Sequence, residues 1–295
     1  MKVARASIPV FDICTIDQSA QKDLLVERFG AYLQKHYHHL HRPHRHSFYH
    51  LVLFTKGKGQ HTIDFERFAV KPYQIYFMAP GQVHSWHFEE GVEGYIVHFN
   101  EALFTSFLYN SHYLERFYFF SGNAEQGVCQ LPPAVHAPVS SLFESMLAEM
   151  GHPKEQNLDM VRLKLLELFI TIDRNCSYKK KVQVPQQKLT LLRSFQSLID
   201  KHYKQIRLPK EYADLLYVTP NHLNALCQDL LGKTAGDLIR DRVLLEAKRL
   251  LTNADMSIAE IAYDLNFQDN SYFNRFFKKN VGVTPDDFRK TLLNQ

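Results

Sequence analysis

The chain is poor in cysteine, with four in 295 residues, and the four stand far apart. Cys14, Cys129, Cys176 and Cys227 form no CxxC pair, which argues against a disulfide framework and for free thiols in a reducing cytoplasm. No apolar run reaches membrane-spanning length, so no membrane partner is expected. Residues 1–18 lack the build of a signal peptide, because Pro9 and Asp12 interrupt the only apolar stretch and no small-residue cleavage site follows. Charge of one sign is scarce as well. The net charge is +4, and from Gln186 onward 16 Lys/Arg stand against 13 Asp/Glu. That excess of three permits nucleic-acid binding without suggesting it. No nucleophile or acid–base pair shows local spacing, so no catalytic residue, no enzyme activity and no cofactor is expected.

What is present is enough chain for two ordinary domains. The 22 Phe and 15 Tyr suit a β-rich core. From about Tyr37 to Asn100 the sequence reads as short strands. Tyr49–Phe54, Gln60–Phe65, Gln74–Ala79 and Glu93–Phe99 are β-branched or aromatic runs, separated by turn signals at Gly57-Lys58-Gly59, Lys71-Pro72, Pro80-Gly81 and Glu90-Gly91. Turns at intervals of roughly ten residues point to a small barrel or sandwich.

From Val139 the period becomes helical, through Leu142, Phe143, Met146 and Met150 to Gly151-His152-Pro153. A second helix, from about Leu158 to Asp173, carries two apolar stripes. Leu158, Val161, Leu165, Phe169 and Ile172 form one; Leu163, Leu166 and Ile170 form the other. A helix apolar over so wide an arc needs two surfaces to pack on: the barrel is one, and either a second subunit or the rest of the same subunit is the other. Residues 177–188 then lack an apolar period and read as a linker. The expected organisation is therefore α+β in two domains: 1–178, a β-barrel plus helices for sensing and dimerisation; 179–188, the linker; and 189–295, all helix.

The all-helical segment contains a weak repeat at an offset of 50 residues. Thr219 matches Asp269, Leu223 matches Phe273, Asn224 matches Asn274, Gly232 matches Gly282 and Thr234 matches Thr284. Ala213 pairs with Ala262 at an offset of 49, so one residue is inserted in the second turn. Each copy reads helix, tight turn, helix. Thr219 followed by Pro220 opens the second helix of the first copy, and Gly232 stops it. Ser257-Ile258-Ala259-Glu260 is a capping box, Asn266 suits a left-handed turn residue, and Asp269 caps the next helix. A long helix from about Ala235 to Thr252 joins the copies. A rigid connector of that kind would let two recognition helices enter successive major grooves.

Residues 186–295 resemble the DNA-binding domain of the AraC/XylS transcription regulators. The resemblance rests on Ser257–Ala262, on Asn270-Ser271-Tyr272-Phe273-Asn274-Arg275-Phe276-Phe277-Lys278-Lys279, on Gly282-Val283-Thr284-Pro285 with Phe288-Arg289, and on Glu246–Leu251 in the connecting helix. It implies a double helix-turn-helix. It further implies that Asn221, His222, Asn224 and Gln228 in the first unit, and Asn270, Ser271, Asn274 and Arg275 in the second, read bases. Lys278, Lys279 and Arg289 are expected on phosphate. Two departures from the family pattern stand out: Ala225 lies where the second unit has Arg275, and Tyr217 replaces a small turn residue.

Seven of the 16 histidines lie between His36 and His50. His44-Arg45-His46 with His50, followed by Pro80-Gly81-Gln82-Val83-His84, resembles the two motifs of a cupin barrel, which many of these regulators carry as an effector-sensing domain. His50 stands where catalytic cupins usually have Glu. Three arrangements are open. His44, His46, His50 and His84 form a metal site; or they anchor an organic effector among Phe48, Phe54, Tyr76 and Phe77; or they are structural residues at the barrel mouth. An effector site is the expectation, without a bound metal, and His36, His38, His39 and His41 are expected on the surface.

The function expected is a one-component, effector-responsive regulator in the cytoplasm. Its partners are double-stranded promoter DNA, an unidentified small-molecule effector, a second copy of the chain and, if it activates, RNA polymerase. The competing class is a metal-dependent cupin enzyme carrying a DNA-binding tail, which His50 in the Glu position argues against.

Overall fold

A computed structural model describes residues 9–16, 23–89, 91–108, 113–151, 156–176, 186–253 and 255–293. They fall into two compact units, Pro9–Val182 and Gln183–Gln295. Most of the segment examined for a signal peptide, the end of the turn at His152-Pro153, and linker residues 177–185 lie outside the described residues.

The first unit is built on ten strands: β1 (Val10–Phe11), β2 (Leu24–Arg28), β3 (His44–His46), β4 (Tyr49–Lys56), β5 (Gly59–Ile63), β6 (Glu66–Val70), β7 (Gln74–Met78), β8 (Val83–Phe88), β9 (Glu93–Phe99) and β10 (Val128–Gln130). They form two five-stranded sheets, ordered β1-β3-β8-β5-β6 and β10-β7-β4-β9-β2. Among the described pairings only β1–β3 is parallel.

Side chains alternate across a strand, and both faces of the second sheet are apolar. Leu51, Leu53, Ile75, Phe77, Val97 and Phe99 share a core with the helices α4 (His136–Gly151) and α5 (Asn157–Asn175). Val52, Phe54, Tyr76, Met78 and Ile96 belong to a second core that includes Trp86 of β8 and Ile63 of β5 in the first sheet. Along α5 the stripe Val161, Leu165, Phe169 and Ile172 is fully buried against the sheet. The other stripe is only partly covered: Leu166 and Ile170 are half-buried, and Leu163 is 52% exposed.

The structure departs from the sequence expectation in the first half of this unit. Short helices α1 (Ile13–Ile16) and α3 (Ala102–Thr105) appear, and α2 (Phe29–Leu40) takes up the region around Tyr37 that was read as strand. Strand β8 was hidden because its inward positions include His84 beside Trp86, so its alternation does not look apolar.

The second unit consists of α6 (Gln186–His202), α7 (Pro209–Leu215), α8 (Pro220–Leu231), α9 (Ala235–Leu251), α10 (Ile258–Asp264), α11 (Asn270–Val281) and α12 (Pro285–Leu293). Gln186–Lys188, expected in the linker, are the first turn of α6. The capping chemistry is as the sequence implies. Thr219 accepts from His222 N, Ser257 from Glu260 N and Asp269 from Tyr272 N. Gly232 and Gly282 end their helices at φ 68° and 91°.

The two turns have one geometry. Tyr217 and Asn266 both adopt left-handed φ values, 55° and 59°. The following amides, Val218 N and Phe267 N, donate to Ala213 O and Ala262 O at 3.0 and 2.9 Å. Tyr217 therefore does not disturb the first turn; it occupies the position with its ring 96% exposed.

Helix α9 is pinned to α6 by charge. Arg242 bonds Asp200 of α6 at 2.7 Å and Glu246 at 3.0 Å, while its guanidinium lies 4.1 Å from the centre of the Tyr203 ring. Glu246 and Asp200 hold this guanidinium's pKa above its ordinary value against the opposing effect of burial.

Candidate functional site

Helices α8 and α11 bury one stripe each, Leu223, Leu226 and Cys227 in the first and Phe273 and Phe277 in the second. The opposite face is in solvent. Asn221, His222, Asn224, Ala225 and Gln228 are exposed on α8, and Asn270, Ser271, Arg275, Lys278 and Lys279 on α11. Asn274 is half-buried. Helix α11 carries three cations on its exposed face. Lys188, Lys204, Lys233, Arg240 and Lys290 each bond a carboxylate, whereas Arg275, Lys278 and Lys279 have no ion-pair partner among the described residues. Three cations on one helix face, free of carboxylates, make an anion-facing surface that the small overall excess conceals.

Three expected contacts are altered by what the side chains already hold. Arg289, placed on phosphate from the family pattern, is only 9% exposed, and its Nε donates to Leu251 O at the end of α9. It closes a helix C-terminus and ties α12 to α9, so it leaves the phosphate set. Asn224 Oδ1 accepts from Ala235 N at 3.0 Å, satisfying a first-turn amide of α9. Asn274 Nδ2 donates to Asn270 O and Oδ1, so those two residues act as a pair. Tyr272, not among the residues expected to face DNA, is 54% exposed beside Ser271. An aromatic one position outside the Phe273, Phe276, Phe277 stripe was the available signal.

In the first unit the four motif histidines come together, but not at a mouth. His44, His46, His50 and His84 are all buried, and two histidines outside the motifs, His61 and His98, are buried with them. Strand register explains the convergence. His44 lies opposite His84 across β3–β8, and His50 lies opposite His98 across β4–β9. The six rings pack on one another and on aromatics. Ring centres are 4.1 Å apart for His44–His84, 4.8 Å for His46–His84, 5.2 Å for His46–His50 and 4.8 Å for His50–His98. The surface role expected for His36 also changes: it is half-buried, with its ring 4.7 Å from that of Tyr32.

Of the aromatic residues expected to line the site, Phe48 packs at a tilt on His46 and His98, both at 4.5 Å, and Tyr76 lies 4.8 Å from His61. Phe54 packs instead on Phe29 and Tyr76. Phe77 is on the opposite face of the sheet, 4.0 Å from Phe119, and does not belong to the chamber. Burial lowers the pKa of His44 to about 4. It pushes His46, His50, His61, His84 and His98 well below the usual histidine range, and neighbouring imidazoles add to the effect. All six are neutral at pH 7, the form that offers a lone pair to a metal or a hydrogen bond.

A two-sheet β domain together with a double helix-turn-helix is the build of one class, the DNA-binding transcription regulators. Residues 29–170 match the AraC-like ligand binding domain, and residues 212–291 match a helix-turn-helix domain. Both units of the chain are thus similar to the two domains of AraC-type transcription regulators, and the curated relatives it matches are transcription regulators. It is 24% identical to the arabinose operon regulatory protein of Salmonella typhimurium over 242 residues, 82% of this chain and 83% of that one. It is 22% identical to the transcriptional activator RhaS of Escherichia coli over 260 residues, 84% and 87% of the two chains. Among solved structures, the C-terminal domain of AraT, a response regulator from Geobacillus stearothermophilus, is 30% identical with a TM-score of 0.33, over 34% of this chain and 84% of that one. The matched stretch spans 40%, 57% and 39% of the length of three further curated relatives. Among the described residues no helix is long and apolar enough to cross a membrane.

Proposed function

We propose that the chain is a one-component regulator of the cytoplasm that grips two adjacent major grooves of a specific promoter and alters that grip when its barrel takes up a ligand. The observation that carries this is the pair of exposed helix faces, α8 and α11, joined by a 17-residue helix about 25 Å long. In each unit the buried stripe leaves the residues nearest the helix start pointing to solvent. Asn and Gln pair bidentately with adenine and Arg with guanine, so Asn221, Gln228, the Asn270–Asn274 pair and Arg275 carry sequence discrimination. His222 and Ser271 flank them. Lys278 and Lys279 supply phosphate contact. Ala225 offers a methyl group where α11 offers Arg275, so the first unit reads fewer bases by hydrogen bonding.

The regulator works as a homodimer through α5. Its partly covered stripe leaves Leu163 and Met160, one turn apart, exposed at 52% and 40% beside the half-buried Leu166 and Ile170. Doubling the reading units offsets the modest charge of one subunit by avidity. Where the bound dimer activates, its further partner is RNA polymerase.

The test is selection of duplex sites from a random pool, followed by titration of the selected site. A dissociation constant on the order of 10 nM at moderate salt, at least about 1,000-fold tighter than for random duplex, is expected. Binding without sequence preference would defeat the proposal. For the dimer, Leu163→Glu should convert a sedimenting dimer to monomer without loss of helical content; a wild-type chain that is already monomeric at micromolar concentration, with and without DNA, refutes it.

A further inference from the structure

The six-histidine chamber is expensive unless something pays its polar cost. Burying an unpartnered polar nitrogen costs about 1–3 kcal/mol, and native cores keep few such atoms. Here His44 Nε2, His46 Nδ1 and Nε2, His50 Nε2 and His84 Nε2 are all buried with no hydrogen-bond partner. They sit on strands from both sheets and converge on one place.

The bonds these rings do make fix which nitrogen is free. His44 Nδ1 lies 2.8 Å from Arg42 O. A carbonyl only accepts, so Nδ1 carries the proton and Nε2 of the neutral ring keeps its lone pair. His84 Nδ1 is 3.1 Å from His61 Nε2, and His50 Nδ1 is 3.0 Å from His98 Nε2. When Nδ1 donates in each pair, His84 and His50 likewise turn an Nε2 lone pair inward. A ligating histidine whose other ring nitrogen donates to a fixed acceptor is the usual build of a metal site. His46, with neither nitrogen bonded, presents one of its own. His44, His46 and His84 offer ligand atoms within 4.8 Å of one another. Imidazole–zinc bonds are about 2.0–2.1 Å long, so side-chain movements of less than about 1 Å bring these atoms onto one ion.

We infer that this chamber binds a single zinc-type divalent ion through His44, His46 and His84, with His61 as a positioning residue that holds the Nδ1 proton of His84. An all-imidazole set suits borderline ions such as Zn²⁺, Co²⁺ and Ni²⁺ and disfavours the oxygen-seeking Mg²⁺ and Ca²⁺. The direct packing of the rings favours an ion over an organic molecule among them, since a molecule would have to part rings whose centres are 4.1–5.2 Å apart. The inference rests on the barrel being the ligand-holding domain, and names the class of ligand.

The test uses the full chain, stripped with chelator and dialysed, with Zn²⁺ titrated by calorimetry and metal content read by elemental analysis. Co²⁺ serves as a spectroscopic probe of tetrahedral nitrogen coordination. One equivalent is expected. His46→Leu should weaken binding at least 100-fold yet leave the metal-free melting temperature unchanged or higher, because His46 has no hydrogen bond to lose. His61→Phe should weaken binding about 10- to 100-fold while leaving one equivalent. Exposed His87→Ala should change nothing. Absence of stoichiometric metal in the wild-type chain, or full retention by His46→Leu, overturns the inference. Neither result bears on duplex selectivity, which is measured separately, so the regulator proposal and the metal site can fail independently.

Discussion

Single side chains separate the proposed DNA-facing roles from the structural ones. Arg275 is exposed and unpaired, and a bidentate contact to guanine is worth about 1–3 kcal/mol of discrimination. Arg275→Ala should therefore weaken the selected site about 10- to 100-fold and relax the preference at one base position, with no change in melting temperature. Arg289→Ala should do the reverse. It removes a charge-assisted bond to Leu251 O worth about 1.5–3 kcal/mol and should lower the melting temperature first. Binding isotherms beside thermal scans tell the two apart. The chamber histidines set a pH dependence of their own. Their folded pKa values lie below 6.5, to about 4 for His44, so below pH 6.5 the unfolded chain takes up protons that the folded chain refuses. Stability should be flat above that pH and fall as pH drops from 6.5 towards 4, by up to about 1.4 kcal/mol per pH unit for each such histidine. Melting of the chelator-treated chain across that range checks the sign; stability that rises on acidification would contradict it.

Turns and helix contacts are the next scale. Tyr217 and Asn266 hold the same left-handed conformation in the two helix-turn-helix units, but only asparagine tolerates it readily. Tyr217→Asn should raise stability by about 0.5–1 kcal/mol, since the exposed ring has little packing to lose. A fall in melting temperature would mean that the ring contributes packing which its exposure does not suggest. The α6–α9 contact is more demanding. Arg242→Met removes bonds to both Asp200 and Glu246 as well as the stacking on Tyr203. A cost of about 2–3 kcal/mol is expected, read as a lower denaturant midpoint for the second unit, with specific DNA binding lost in proportion to unfolding.

At the scale of the whole molecule, the modest net charge of +4 should show itself in salt dependence. Each phosphate contact contributes about 0.9 to the slope of log affinity against log salt. Lys278→Ala with Lys279→Ala should flatten that slope by about 1.8 and weaken all duplexes alike. The helical half was legible in the sequence because its signals are local. Thr219-Pro220, Ser257 with Glu260, Asp269, Gly232 and Gly282 act within one turn of the residues they cap, and the repeat spaces them visibly. Contacts between distant segments were not legible: Arg289 on Leu251, Asn224 on Ala235, and Phe77 facing the helices. The histidines show the division best. Composition and motif pointed to four imidazoles in a barrel domain and left their role open among three arrangements. Only the pairing of β4 with β9 and of β5 with β8, across 48 and 23 residues of chain, brought His98 and His61 to them and removed water from all six. Local propensity is written in neighbouring residues, whereas burial and register are settled by segments that meet only after the chain has folded.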